Sequence, residues 1–80
     1  MRAAPKFIAK YLENYSAQDV YDILKDMGYI VRDTVGWKLT ELGRANGGKM
    51  SNSNYPTPTF DVDKVIDQMI EFWNRTHKKS

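Results

Sequence analysis

Gly43-Arg44-Ala45-Asn46-Gly47-Gly48-Lys49 has the G-x-x-x-x-G-K spacing of a loop whose backbone amides cradle phosphate. Such a loop needs a Ser or Thr after the lysine to hold magnesium, a strand before it and a helix after it. Here Met50 follows, and the flanks read as a helix before and a proline-containing loop after. The segment is therefore expected to be a helix C-terminus with a flexible turn. The only histidine, His77, stands in a basic tail beside Lys78 and Lys79, and the chain has no cysteine. Neither a zinc site nor a thiolate nucleophile can be built from that set. The pairs Asp61/Asp63 and Asp63/Asp67 have spacings that invite a metal or acid–base reading. A helix starting at Asp61 accounts for the first pair by capping and dipole and leaves Asp67 as surface charge. No enzyme and no cofactor or metal is expected.

Recognition chemistry remains. Tyr21, Tyr29, Trp37 and Tyr55 are the aromatic candidates for stacking on bases or anchoring an interface. Trp37 and Leu39 project to one face of a hairpin and are expected in the core at its base. Tyr21 and Tyr55 are harder to place inside, and exposed Tyr beside Asp and Gln suits protein recognition better than phosphate recognition. The cations fall into groups: Arg2, Lys6 and Lys10; Arg32 and Lys38; Arg44 and Lys49; Arg75, Lys78 and Lys79. Twelve Lys and Arg against ten Asp and Glu leave +2, so whole-chain charge selects no partner class. A phosphate-contacting patch and scattered solubilising charge are both open.

These residues need elements to hold them. Pro5 suits a first helical turn, and Phe7, Ile8, Tyr11, Leu12 and Tyr15 follow at helical spacing, giving helix 1 from about Ala4 to Asn14. Ser16 with Asp19 approaches a capping box, and Val20, Ile23, Leu24 and Met27 carry helix 2 to Gly28. Tyr29 to Val31 and Trp37 to Leu39 flank a hairpin tip at 32–36. Thr40 caps a short helix through Asn46, and 47–58 reads as a mobile surface loop. Thr59 and Phe60 suit a short strand, Asp61 caps helix 4 over about Val62 to Arg75, and Lys78 and Lys79 complement its dipole. Its apolar positions, Trp73 among them, cover an arc of roughly 160°, wider than a surface helix needs. Trp73 is expected in the core, and the excess arc predicts a weak homodimer through Met69 and Phe72.

The order of elements is carried by Leu24-x-x-x-Gly28-Tyr29-Ile30-x-Arg32 and Trp37-Lys38-Leu39-Thr40-x-x-Gly43. It resembles winged-helix domains, and especially the small winged-helix domains of bacteriophage antirepressors and related phage regulatory proteins. The resemblance spans about two thirds of the chain. It implies an α+β, mainly α fold: helix, helix, hairpin wing, short helix, loop and C-terminal helix. It also implies a phage or prophage regulator that binds duplex DNA, with Arg32, Lys38, Arg44 and Lys49 as the candidate phosphate contacts. One departure is local. The outer face of helix 2 shows Gln18, Asp19, Tyr21, Asp22, Lys25 and Asp26, three aspartates against one lysine, where a recognition helix would meet phosphate. The alternative is a protein-binding module, an antirepressor or an inhibitor of a host defence complex, with Tyr21, Asp22, Lys25, Asp26 and Phe72 as interface. Eighty residues allow one domain, and no apolar stretch reaches the roughly 20 residues of a membrane span. With no cysteine and no signal-like start, the expected location is the cytoplasm of a bacterial host.

Overall fold

A computed structural model describes residues 1–13 and 15–77, without the His77 side chain. Lys78, Lys79 and Asn14, and the side chain of His77, to which the sequence assigns roles above, lie outside what is described. Among the described residues the fold is α+β with four α-helices and two antiparallel sheets, and about half of these residues are helical. In chain order the elements are β1 (Arg2–Ala3), α1 (Pro5–Ile8) with a 3-10 turn at Ala9–Tyr11, α2 (Ala17–Asp26), β2 (Ile30–Arg32), β3 (Trp37–Leu39), α3 (Glu41–Ala45), β4 (Lys49–Met50), β5 (Pro58–Asp61) and α4 (Val62–His77).

Local chemistry sets the helix starts. The Ser16 hydroxyl accepts from the Asp19 amide at 3.2 Å and the Asp19 carboxylate accepts from the Ser16 amide at 3.0 Å, a complete capping box at α2. Gly28 ends α2 with φ +84°, a conformation that L side chains rarely adopt. The Thr40 hydroxyl accepts from the Gly43 amide at 3.0 Å and donates to the Gly28 carbonyl, so one side chain ties the end of α2 to the start of α3. Gly43 is there for space: an added Cβ would lie 2.2 Å from the Tyr29 carbonyl oxygen. Gly48 has a similar reason, since its Cβ would meet Leu39 at 2.6 Å. Two glycines of the phosphate-loop spacing thus serve close packing. Asp61 caps α4 through the Lys64 amide at 3.2 Å.

The core runs from Ile8 through Val20, Ile23 and Leu24 to Ile30 and Leu39, and from Phe60 through Val62 and Val65 to Met69. Phe60 and Pro58 alternate inward along β5 while Thr59 and Asp61 turn outward, the period of a strand covered on one face. β5 is the centre of a β1-β5-β4 sheet, with Ala3 opposite Phe60 and Lys49 opposite Thr59.

Three expectations change. The segment 47–58 is not all loop: Lys49–Met50 pairs with β5, and the Ser51 amide donates to the Thr57 carbonyl at 2.8 Å, leaving a closed turn over 51–57. Helix 1 is shorter than expected because only Pro5 and Ile8 are buried on it. Phe7 and Tyr11 find no core to pack on, and so short a helix does not sustain itself. On α4, Met69 is only 2% exposed, so it is unavailable to a dimer interface, and Phe72 is half-buried against the core. Trp73 is 36% exposed, not in the core, and meets Tyr15 edge-on at 5.7 Å. The reason is length: sixteen residues at about 1.5 Å each outrun a core that ends at Met69, within a molecule of 44 × 22 × 21 Å.

Candidate interaction surface at the hairpin

The β2–β3 hairpin is pinned at its tip by one side chain. The Asp33 carboxylate accepts from the Val35 and Gly36 amides at 2.8 and 3.0 Å, and its other oxygen holds the Lys38 ammonium at 2.8 Å. The Lys38 hydrogen bond, followed by the two amides, holds the Asp33 carboxyl below the usual carboxylate range. This turn presents Val35 at 82% exposure.

Register decides which side chains share a face. Ile30 pairs with Leu39, Val31 with Lys38 and Arg32 with Trp37. Because Ile30 and Leu39 are buried, Trp37 and Arg32 share the inner face while Lys38 and Val31 point outward. Trp37 is half-buried and stacks on Tyr21 of α2, centroids 5.1 Å apart and planes 18° apart. The Arg32 guanidinium lies 5.8 Å from the same Trp37 ring. Burial raises the Tyr21 hydroxyl above its ordinary value.

The 51–57 turn rises beside the tip. Between them lies a cleft of about 150 Å³ lined by Val35, Trp37, Lys38, Met50, Tyr55 and Pro56. Tyr55 is 88% exposed on a turn closed by the Ser51 hydroxyl, which accepts from the Thr57 amide at 2.9 Å. Val35 and Tyr55, the two most exposed large apolar side chains among the described residues, therefore line one cleft.

The residues singled out in the sequence are distributed as follows. Arg32 and Lys38 are on opposite faces of the hairpin, and Lys38 is ion-paired. Arg44 on α3 and Lys49 on β4 are exposed, and neither makes a side-chain hydrogen bond or ion pair among the described residues. The four do not share one face. Tyr21 is half-buried in the stack and not an exposed anchor. Asp22 accepts from Gln18 at 3.0 Å and is exposed with Lys25 and Asp26. Phe72 lines a separate groove of about 400 Å³ with Met27, Tyr29, Leu42 and Gln68. Sequence reasoning missed Val35 and Asp33, although Asp33-x-x-Gly36 is a turn signal that places Val35 at the tip. Among the described residues no group of three His, Asp or Glu is placed to hold a metal, and no helix is long and apolar enough to cross a membrane. Comparison with known proteins finds no matching family, no matching curated protein and no matching solved structure.

Proposed function

We propose that this protein is a non-catalytic binding module of winged-helix type that recognises a partner protein through the wing, β2–β3, and the adjoining 51–57 turn. The supporting observation is the cleft in which Val35 and Tyr55 stand exposed on pinned turns beside Trp37. Burying both apolar side chains contributes about 1.5–3 kcal/mol each, and the backbone of the turns that carry them is already held by the Asp33 and Ser51 side chains. Aromatic and arginine side chains are the usual anchors of protein interfaces; Trp37 lines this cleft and the Arg32 guanidinium lies 5.8 Å from its ring. Such a module would act as an antirepressor or an inhibitor of a host complex in a phage-infected bacterial cytoplasm. Asp22 and Asp26, exposed on α2, weigh against that helix entering a major groove, where they would face phosphate.

A photo-crosslinking residue at position 55, compared with one at position 44, tests this in host cells. The reading expects a discrete protein adduct from position 55 and its loss on Val35→Asp. A DNA adduct from position 44, with none to protein from position 55, overturns it.

A second reading, duplex DNA, is favoured by Arg44 and Lys49, whose charges are exposed and uncommitted. It expects affinity that falls with salt at a log–log slope of about −0.9 per phosphate contact, shallower by about 1 in Lys49→Gln. It also expects tighter duplex binding by Asp22→Lys; binding that is weakened or lost in that variant removes a DNA-facing α2.

A further inference from the structure

We propose that a second groove, on the α1 side of the molecule, binds single-stranded nucleic acid by stacking bases on Phe7 and Tyr11 while Lys6, Lys10 and Arg2 meet the phosphates. This goes beyond the protein-binding reading and uses a different surface. The groove holds about 520 Å³ and is lined by Ala3, Ala4, Phe7 and Tyr11, with Ser51 and Thr57 from the base of the 51–57 turn. Phe7 and Tyr11 are 49% and 54% exposed, and both rings belong to this one groove. They are exposed because the short α1 buries only Pro5 and Ile8, so the fold itself gives these rings no partner in the core.

Charge selects the occupant. From Arg2 to Leu12 the chain carries Arg2, Lys6 and Lys10 and no acid, and no lining residue has a carboxylate. Lys6 and Lys10 are exposed and alternate with the rings, Lys6-Phe7 and Lys10-Tyr11. The Lys10 ammonium rests 4.9 Å from the Phe7 centroid. Arg2 is held on the sheet by donating to the Gly47 and Thr59 carbonyls at 2.6 and 3.2 Å, so its charge is fixed at the groove. The neighbouring Asp61 accepts from the Lys64 amide and lies below the usual carboxylate range, first through that hydrogen bond, so it stays charged, one carboxylate against the three cations Arg2, Lys6 and Lys10.

Flat rings interleaved with cations match a strand whose bases and phosphates alternate. A purely apolar peptide would use the rings and leave the cations without purpose. A duplex keeps its bases stacked and out of reach of the rings. When a base docks on Phe7, Lys10 exchanges an exposed cation–π contact for a phosphate, and stacking outweighs the contact displaced.

Fluorescence anisotropy with a labelled oligo-dT of about twelve nucleotides, and with a duplex of equal length, tests the proposal on the full chain. The single strand is expected to bind at least about tenfold more tightly than the duplex. Phe7→Leu with Tyr11→Leu, which keeps apolar bulk and removes the flat rings, is expected to weaken binding by about tenfold or more with an unchanged thermal midpoint. Lys6→Gln with Lys10→Gln is expected to make the log–log salt slope shallower by about 1.4. Equal affinity for the duplex, full affinity in the leucine variant, or no anisotropy change up to about 100 μM protein overturns the proposal.

Discussion

Asp33 shows how much one side chain arranges. It satisfies two amides of the hairpin tip and holds Lys38 in an exposed ion pair. Its carboxyl is held below the ordinary 3.8, so its contribution to the tip is fully present above the unfolded value and is lost as pH falls through the lower folded value. We expect the NMR titration midpoint of Asp33 to rise in Lys38→Gln yet stay below the ordinary value, because the Val35 and Gly36 amides remain. An unchanged midpoint would mean the amides alone hold the carboxylate. Gly43 is constrained more severely. The Cβ of Gly43→Ala would start 2.2 Å from the Tyr29 carbonyl oxygen, and backbone must move to admit it. A loss of about 1–3 kcal/mol in urea denaturation is expected, by overpacking rather than by loss of any phosphate contact.

At the scale of elements, caps and core positions carry different weights. Thr40→Ala removes both the cap of α3 and the bond to the Gly28 carbonyl, and a loss of about 1–2 kcal/mol is expected from equilibrium unfolding. Along α4, the side chain facing inward matters more than the larger one beyond the core. Met69→Ala is expected to cost about 2–5 kcal/mol, whereas Trp73→Ala, whose ring meets Tyr15 at its edge, costs only about 1 kcal/mol. Comparable losses at the two positions would place Trp73 inside after all. The capping box of α2, the glycine at its end and the aspartate that starts α4 were all readable from the chain. Each is a contact between residues three or four apart, which the local spacing alone specifies.

For the whole molecule, the consequence is a division between a buried core and exposed clefts proposed for recognition. The 51–57 turn belongs to both: Ser51 and Thr57 close it on β4 and β5, while residues 52–56 stand exposed. Deleting residues 52–54 is expected to change stability by less than about 1 kcal/mol, since a short surface loop is entropically tolerant. The same deletion displaces Tyr55 from the cleft and is expected to abolish the proposed protein adduct from a crosslinker at position 55. A collapse of the thermal transition would show that the turn supports the core.

The chain by itself determined its helix starts, the β2–β3 hairpin and the apolar stripe of α2, because each depends on residue type at short spacing. Tertiary structure alone decided the remainder. β1 and β4, two residues each, have no readable alternation and become strands only because β5 offers them an edge. Tyr21 meets Trp37, and Val35 approaches Tyr55, across segments whose separation no local pattern encodes. Phe7 and Trp73 look like core residues by period, yet both lie outside it, because periodicity gives the direction of a side chain on its helix and only packing decides whether anything is there to meet it.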